Sequence, residues 1–412
     1  MTLPAQMPPH DRRFRWHSDA TAHVYDTAVR PRGTAPQRAI VPDPVATCLG
    51  TLAATLGTGT PFCISDTTPD GLADIAPNHF ITLTGGSSGA PKAILRSQSS
   101  WIRSFTANAA QFAYDPRDSV AVLGPLTHSL SLYGVLEALH TGLDAHLLGG
   151  RSPSAQATWM RASGCTVLYA TPTQLRLIAR ADPLPRVRLV LCGGGALDPA
   201  TRTRITALCP NAKVHVFYGA AETSFITLSA ADTPPGSVGQ AYPGVEIAVR
   251  DATGADTTDP GTVWVRSPYL FDRYLAGDSP HTRRIGDFLT VGEHGRLDPN
   301  GNLFLHGRAG RMVTVADKNV FLEEIEAHLA ALEGIEDCAV LALPDPLRGH
   351  RLVAVVSGLP DPDLSQRIKA HFQSALAPHL RPRTLRFLAP FPRLPSGKAD
   401  LAMIATALEA SS

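Results

Sequence analysis

Residues 80–94 read FITLTGGSSGAPKAI, an apolar run that opens into Thr84, Gly85, Gly86, Ser87, Ser88 and Gly89 and closes on Pro91 and Lys92. Glycines let a loop turn several backbone N–H groups inward. Hydroxyls add donors and a lysine adds a point charge, so the segment is suited to a polyphosphate. It is not a Walker loop, because Pro91 precedes Lys92 and neither Ser nor Thr follows it. Gly85, Ser87 and Gly89 do satisfy the G-x-S-x-G pattern of a hydrolase nucleophile. In such an elbow a helix starts just after the serine, where Pro91 would disturb the hydrogen bonding. Lysine is scarce here: of 37 basic residues only Lys92, Lys213, Lys318, Lys369 and Lys398 are lysines, so each one in a special setting is informative. The stretch PLTHSLSLYGVLEALHTG (125–142) carries His128, and no carboxylate lies between Asp118 and Glu137. An ammonium group bound there would lack a nearby counter-charge. In LCGGGAL (191–197), Gly193, Gly194 and Gly195 could let backbone approach a flat ligand, or could simply make a turn.

These residues need elements to hold them. From about 80 to 250, apolar runs alternate with amphipathic stretches. FITL, SVAVLG, AHLLG, TVLYA, VRLVLCG and KVHVFYG read as strands, and 97–112, 131–141, 154–163, 172–181 and 198–208 as helices. That alternation predicts an α/β domain with parallel strands and right-handed crossovers. Residues 1–80 are rich in Pro, Thr and Ala and read as an irregular layer with one helix near 44–57. Short strands between Gly, Pro and Asp turns predict a β-rich subdomain over 236–308. After Gly310 the chain restarts as a compact α+β unit of about 100 residues, large enough for its own core.

Composition narrows the classes. The chain has 412 residues, 44% of them hydrophobic, enough for several cores, and 37 basic against 36 acidic residues leave a net charge of +1. Recognition of nucleic acid or an anionic membrane through bulk charge is therefore not expected. No run of 18 apolar residues predicts a membrane span, and the first residues lack a secretory signal's apolar stretch, so the expected setting is cytoplasmic. Six scattered cysteines without a C-x-x-C pair argue for reduced thiols over a disulfide framework or zinc site.

The loop TGGSSGAPK resembles the phosphate loop of the adenylate-forming (AMP-binding) superfamily of acyl-CoA synthetases, adenylation domains and luciferases. Four more segments resemble the superfamily's motifs in the same order: FYGAAET (217–223), GSVGQAYPGVEIAVRD (236–251), IGDF (285–288) with GRAGRMV (307–313), and LPSGKAD (394–400). The resemblance implies a large N-terminal α/β domain over 1–308 with a truncated first layer (1–80), an α/β core (80–235) and a β-rich subdomain (236–308). A hinge at 309–311 around Gly310 and a small mobile α+β C-terminal lid over 312–412 complete the implied fold. Thr84, Gly85, Gly86, Ser87, Ser88, Gly89 and Lys92 would hold the ATP phosphates, while Tyr218 and Gly219 would lie against the adenine. Glu222 would carry Mg2+, a hard cation suited to carboxylate and phosphate oxygen. Asp287 and Arg308 would bind the ribose. Lys398 would reach the carboxylate and α-phosphate, where charge concentrates during in-line attack. His128 would stand where peptide-synthetase relatives have an aspartate for the α-amino group, and Gly193, Gly194 and Gly195 would line the acyl pocket.

The function implied is ATP-dependent activation of a small carboxylic acid, aryl or medium-chain, to an acyl-adenylate with pyrophosphate release. Coenzyme A or the phosphopantetheine of an acyl or aryl carrier protein would then take the acyl group. Departures from the family pattern are Gly310, where relatives carry an acidic residue or lysine, Thr314 in place of lysine, and Asp317 in place of the glycine that borders the thiol tunnel. The segment before the phosphate loop is short, and a second copy in a homodimer is one candidate to cover the sheet face this leaves. Two other classes stay open at this point: an α/β hydrolase using Ser87, and a relative that binds nucleotide without turnover.

Overall fold

The computed structural model describes residues 12–31, 35–84, 92–315, 318–345, 349–394 and 397–410. Gly85, Gly86, Ser87, Ser88, Gly89 and Asp317 lie outside the described residues. Five consecutive neighbours form the parallel centre of the largest sheet, in the order Asp144–Leu147, Ser119–Val122, Val167–Ala170, Leu189–Cys192 and Lys213–Ala220. These are the runs whose length and β-branched content predict buried strands. Val120 and Val122 pack with the helices Gln98–Gln111 and Ser129–Thr141 on one face. Ala121 and Leu123 pack with Pro153–Ser163, Pro172–Ile178 and Pro199–Leu208 on the other. Alternate residues of one strand thus feed two cores, as the two-residue period requires.

The N-terminal layer is more ordered than its composition suggests. The helix expected near 44–57 spans Val45–Thr55. Ala22–Val24 adds a strand parallel to Asp144–Leu147, while Ala39–Ile40 and Phe62–Ile64 join a second sheet with His79–Thr84, Lys92–Ser97 and Arg273–Ala276. Strands of two or three residues are too short to display a period of two, which explains why they do not stand out in the sequence. Lys92–Ser97 is a further strand, antiparallel to His79–Thr84, with Thr84 opposite Lys92. The Ser87 loop therefore joins two strands of a hairpin. A nucleophile elbow needs strand–turn–helix, so the hydrolase geometry is not met.

The expected β-rich subdomain is continuous with the main sheet. Ser224–Leu228, Ser237–Ala241, Asn302–Arg308, Glu293–Leu297 and Gly261–Arg266 extend it by antiparallel pairing. Beyond residue 311 come the hairpin Met312–Val315/Lys318–Phe321 and a three-stranded sheet, Cys338–Asp345, Gly349–Ser357 and Thr384–Leu388. The helices Leu322–Ala330 and Pro362–Ala375 pack on it through Ile325, Leu329, Ile368 and Phe372, and Leu401–Glu409 packs through Ile404 and Leu408. All six cysteines are free, and burial raises the Cys48, Cys63, Cys165, Cys192, Cys209 and Cys338 thiols to about 12. They are protonated and inert at neutral pH. Among the described residues no helix is long and apolar enough to cross a membrane.

Candidate active site

In the parallel centre, Ser119–Val122 has Asp144–Leu147 on one side and Val167–Ala170 on the other, so the strand order reverses beside it. Open α/β sheets bind ligands outside the carboxyl ends of the strands at such a reversal. Here those ends carry Gly124 with His128, and Thr171 with Gln174. They are close: a Cβ built on Gly124 would lie 3.0 Å from Gln174 Nε2 and 3.7 Å from His128 Nδ1. His128 caps the start of the helix Ser129–Thr141 without a side-chain cap bond, and burial pulls its pKa below the usual value. A neutral imidazole at neutral pH follows.

Gly193 follows Leu189–Cys192, and a Cβ there would land 2.1 Å from the Phe217 ring. Close packing against that ring is enough to require glycine. Gly194 and Gly195 are exposed, and a Cβ on each would lie 3.7 Å from Thr171 and 3.6 Å from Pro172, respectively, with Gly194 at φ +89°. The next strand, Lys213–Ala220, delivers Tyr218 and Gly219, and a side chain on Gly219 would sit 1.9 Å from the Ser224 carbonyl oxygen across the tight turn. Glu222 stands in that turn. Buried Arg96 donates to the carbonyls of Ala221 and Tyr269 and, at 3.2 Å, to Ser224 Oγ. The arginine thereby fixes the backbone on both sides of Glu222.

Glu222 Oε1 accepts a hydrogen bond of 2.6 Å from the Tyr274 hydroxyl, and Lys92 Nζ lies 5.2 Å from the centre of the Tyr274 ring. Strand pairing and the Tyr274 contacts thus place Thr84, Lys92 and Glu222 near the two ends of segment 85–91. Among the described residues no group of three or more His, Cys, Asp or Glu could hold a metal ion. One carboxylate beside a lysine fits a magnesium ion whose other ligands are phosphate oxygens and water.

Arg308 is paired in the structure with a carboxylate other than Asp287. Asp287 is exposed in the two-residue turn joining Arg283–Ile285 to Phe288–Thr290. At ~3.3 Å per residue its hairpin carries it roughly 10 Å along the strand from Thr290. The carboxylate bonded to Arg308 is Glu293, 7% exposed, with Oε1 2.8 Å from Arg308 Nε. Glu293 and Arg308 are cross-strand partners, which sets their contact. Tyr218 lies within the field of both, and its hydroxyl is buried with no hydrogen-bond partner among the described residues. Burial first, then Glu293, raises the Tyr218 pKa well above its ordinary value. IGDF contains a glycine–aspartate pair. The competing signal was Gly292–Glu293, also a glycine–acid pair and nearer to Gly307–Arg308 in sequence. Arg96 and Tyr274 carried no sequence signal, because their contacts are to distant turns.

Lys398 sits in a small loop closed by hydrogen bonds from Leu394 N to Lys398 O and from Gly397 N to Leu394 O, each 2.8 Å. Lys398 is exposed to solvent. Partial desolvation, then Arg308, pull its pKa down, while Glu293 opposes them. The loop that carries Lys398 touches the large unit, Thr173 Oγ1 donating to the Gly397 carbonyl at 3.3 Å. Gly310 occupies the single turn Ala309–Arg311 between these units. On one side Arg308 is bound to Glu293; on the other Arg311 forks onto Glu326 with two 2.8 Å bonds.

The AMP-binding enzyme family profile matches residues 18–275, and the profile of the AMP-binding enzyme C-terminal domain matches 324–398. An uncharacterized acyl–CoA ligase of Bacillus subtilis is 33% identical over 357 residues, covering 84% of this chain and 73% of the relative. A salicyl-AMP ligase/salicyl-S-ArCP synthetase of Mycobacterium tuberculosis is 27% identical over 367 residues, covering 85% of this chain and 63% of the relative. Among solved structures, the o-succinylbenzoate coenzyme A synthetase of Bacillus subtilis in complex with ATP and magnesium ion superposes with a TM-score of 0.69 at 20% identity, covering 79% of this chain and 69% of that one.

Proposed function

Because the chain belongs to the AMP-binding enzyme family, we propose that it is an ATP-dependent carboxylic acid–thiol ligase that forms an acyl-adenylate. A carboxylate oxygen of the acid attacks the α-phosphorus of ATP and pyrophosphate leaves. A thiol then attacks the acyl carbon and AMP leaves. The observation that carries the reading is that the loop of Lys398 docks on the large unit, where Thr173 Oγ1 donates to the Gly397 carbonyl at 3.3 Å, while Arg308 of the large unit is bonded to Glu293 at 2.8 Å.

In this reading Glu293 accepts from the ribose hydroxyls, Arg308 braces the same sugar and Tyr218 lies near the adenine. Lys398 neutralises the charge that builds on the reacting oxygens. Glu222 would carry magnesium, which supplies charge neutralisation on the phosphates when bound. Thr84 and Lys92 flank the loop that would wrap them. Neutral His128 at the strand-order reversal suits an aryl or medium-chain acid, since it gives an α-ammonium no counter-charge. The salicyl-AMP ligase among the relatives is named for an aryl acid, which agrees with that class.

For the acceptor, a specific observation favours coenzyme A over a carrier protein. A cavity of about 280 Å³ in the C-terminal unit is lined by Lys318, His350, Arg351, His379, Arg381 and Arg383, among apolar neighbours and with no carboxylate among the described residues. Its Val315 and Lys318 flank residues 316–317, where the family resemblance implies the loop that borders the thiol tunnel. Clustered cations of this kind suit the phosphates of a nucleotide thiol. The test is a library of carboxylic acids assayed for pyrophosphate release with ATP and magnesium. The best acid is then offered coenzyme A, dephospho-coenzyme A or a phosphopantetheinylated carrier protein. Acyl transfer should be fastest to coenzyme A. Release with no acid at all, or transfer to the carrier alone, would overturn the respective half of the reading.

A further inference from the structure

The proposed function places Lys398 on a unit that must dock against the large domain, and we infer that Arg176 is the positioning residue that holds it docked; the inference rests on that function. The helix Pro172–Ile178 is built to be rigid at its start. Thr171 and Gln174 form a reciprocal capping box and Pro172 takes the first helical position. Thr173 and Arg176 lie three residues apart and so share one face, and both touch the C-terminal unit. Thr173 Oγ1 donates to the Gly397 carbonyl at 3.3 Å, one residue from Lys398. Arg176 donates to the Glu336 carbonyl and lies 3.5 Å from Asp337 Oδ1, while its other terminal nitrogen lies 3.5 Å from Asp198 Oδ2 in its own domain.

The three side chains are well covered, with Arg176, Asp198 and Asp337 24%, 18% and 14% exposed. Asp198 spends Oδ1 capping the helix Pro199–Leu208 through Thr201 N at 2.7 Å. Its Oδ2 is buried with no hydrogen bond among the described residues, so the guanidinium is what compensates its charge. Asp337 is in turn oriented from its own unit by Arg393. One planar cation therefore bridges two pre-oriented carboxylates, one on each side of the domain boundary, a geometry that suits arginine's fork and not lysine's point charge. The neighbouring Arg180–Glu336 pair is 79% and 64% exposed and adds little. Rotation about Ala309–Arg311 toward the thiol-transfer orientation would break the Arg176 contacts, so they bias the two-state equilibrium toward adenylation.

The experiment separates the half-reactions in the full-length enzyme. Arg176→Ala, Arg176→Lys and Asp337→Asn are each assayed for single-turnover pyrophosphate release. They are also assayed for acyl transfer to coenzyme A from a synthetic benzoyl- or octanoyl-adenylate matched to the acid used. Loss of one charge-assisted contact should lower adenylation about tenfold and leave transfer unchanged or faster. Arg176→Lys should fall between, and Arg176→Ala/Asp337→Asn should be no slower than Arg176→Ala. Equal losses in both half-reactions, or none in either, would overturn the inference. If Arg176→Ala does not fold, Asp337→Asn is judged by the same split. If wild type releases no pyrophosphate with any acid, the functional reading fails separately. Small-angle scattering then decides the latch: Arg176→Ala more extended than wild type supports it, and identical curves refute it.

Discussion

The choice between Glu293 and Asp287 as the ribose carboxylate is open to a direct contest. Glu293→Ala removes a side chain that is 7% exposed and bonded at 2.8 Å to Arg308. Two bonds from ribose hydroxyls to a carboxylate are worth roughly 1.5 kcal/mol each at the low end for charged partners. Their loss together amounts to ~3 kcal/mol, and at about 1.4 kcal/mol per decade the KM for ATP should rise by ~10² or more. Folding should suffer less, because Arg308 is 56% exposed and water can take over its lost partner. A destabilisation of about 1–2 kcal/mol is expected, below the roughly 3–5 kcal/mol typical of breaking a fully buried pair. Asp287→Ala, in an exposed hairpin turn, should leave KM for ATP within about twofold of wild type. The assay is pyrophosphate release against ATP concentration, with a urea melt of each variant to separate binding from folding. A larger KM increase in Asp287→Ala than in Glu293→Ala would refute the reasoning and return the ribose to the turn.

Lys398→Ala should slow adenylation by about 10²-fold, the scale for losing one preorganised charge at a transition state, and spare acyl transfer from a synthetic adenylate. The lowered Lys398 pKa also means that the ammonium is lost earlier as pH rises, so the alkaline limb of pyrophosphate release should lie below the ordinary lysine value and move upward in Lys398→Arg. Equal pH profiles for the two proteins would contradict this. Glu137 is wholly buried, accepting from Asn108 Nδ2 at 2.7 Å, Tyr169 at 2.6 Å and Tyr114 at 2.9 Å, and burial raises its pKa to about 7. The folded state then holds a proton that the unfolded chain releases near its ordinary value, so this group's contribution to stability falls as pH rises from ~4.5 to ~7 and is flat above. Thermal melts of Glu137→Gln should lack that decline, and a wild-type difference unchanged across the window would rule it out.

The central strands and their helices are legible in the sequence because each satisfies a local rule. SVAVLG, TVLYA and VRLVLCG are short apolar runs between turns, and the amphipathic stretches between them carry helical spacing. Tyr218, Arg308 and Lys398 stand out in the sequence because each sits in a short run whose residue types suit one chemistry, and in the structure the Arg308 charge acts on both Tyr218 and Lys398. Other features depend on which chain segment lies beside which. Asp287 and Glu293 both follow a glycine near a hairpin, and only strand register turns Glu293 onto Arg308 while leaving Asp287 at an exposed tip. At Gly193 the requirement for glycine comes from the Phe217 ring packed against it, a contact the sequence does not display. Arg96 and Arg176 reach partners 125 and 160 residues away, separations that no periodicity encodes. A sequence determines elements through interactions between near neighbours. The site also requires backbones distant in sequence to share one register and one docking angle, which only the packed tertiary structure decides.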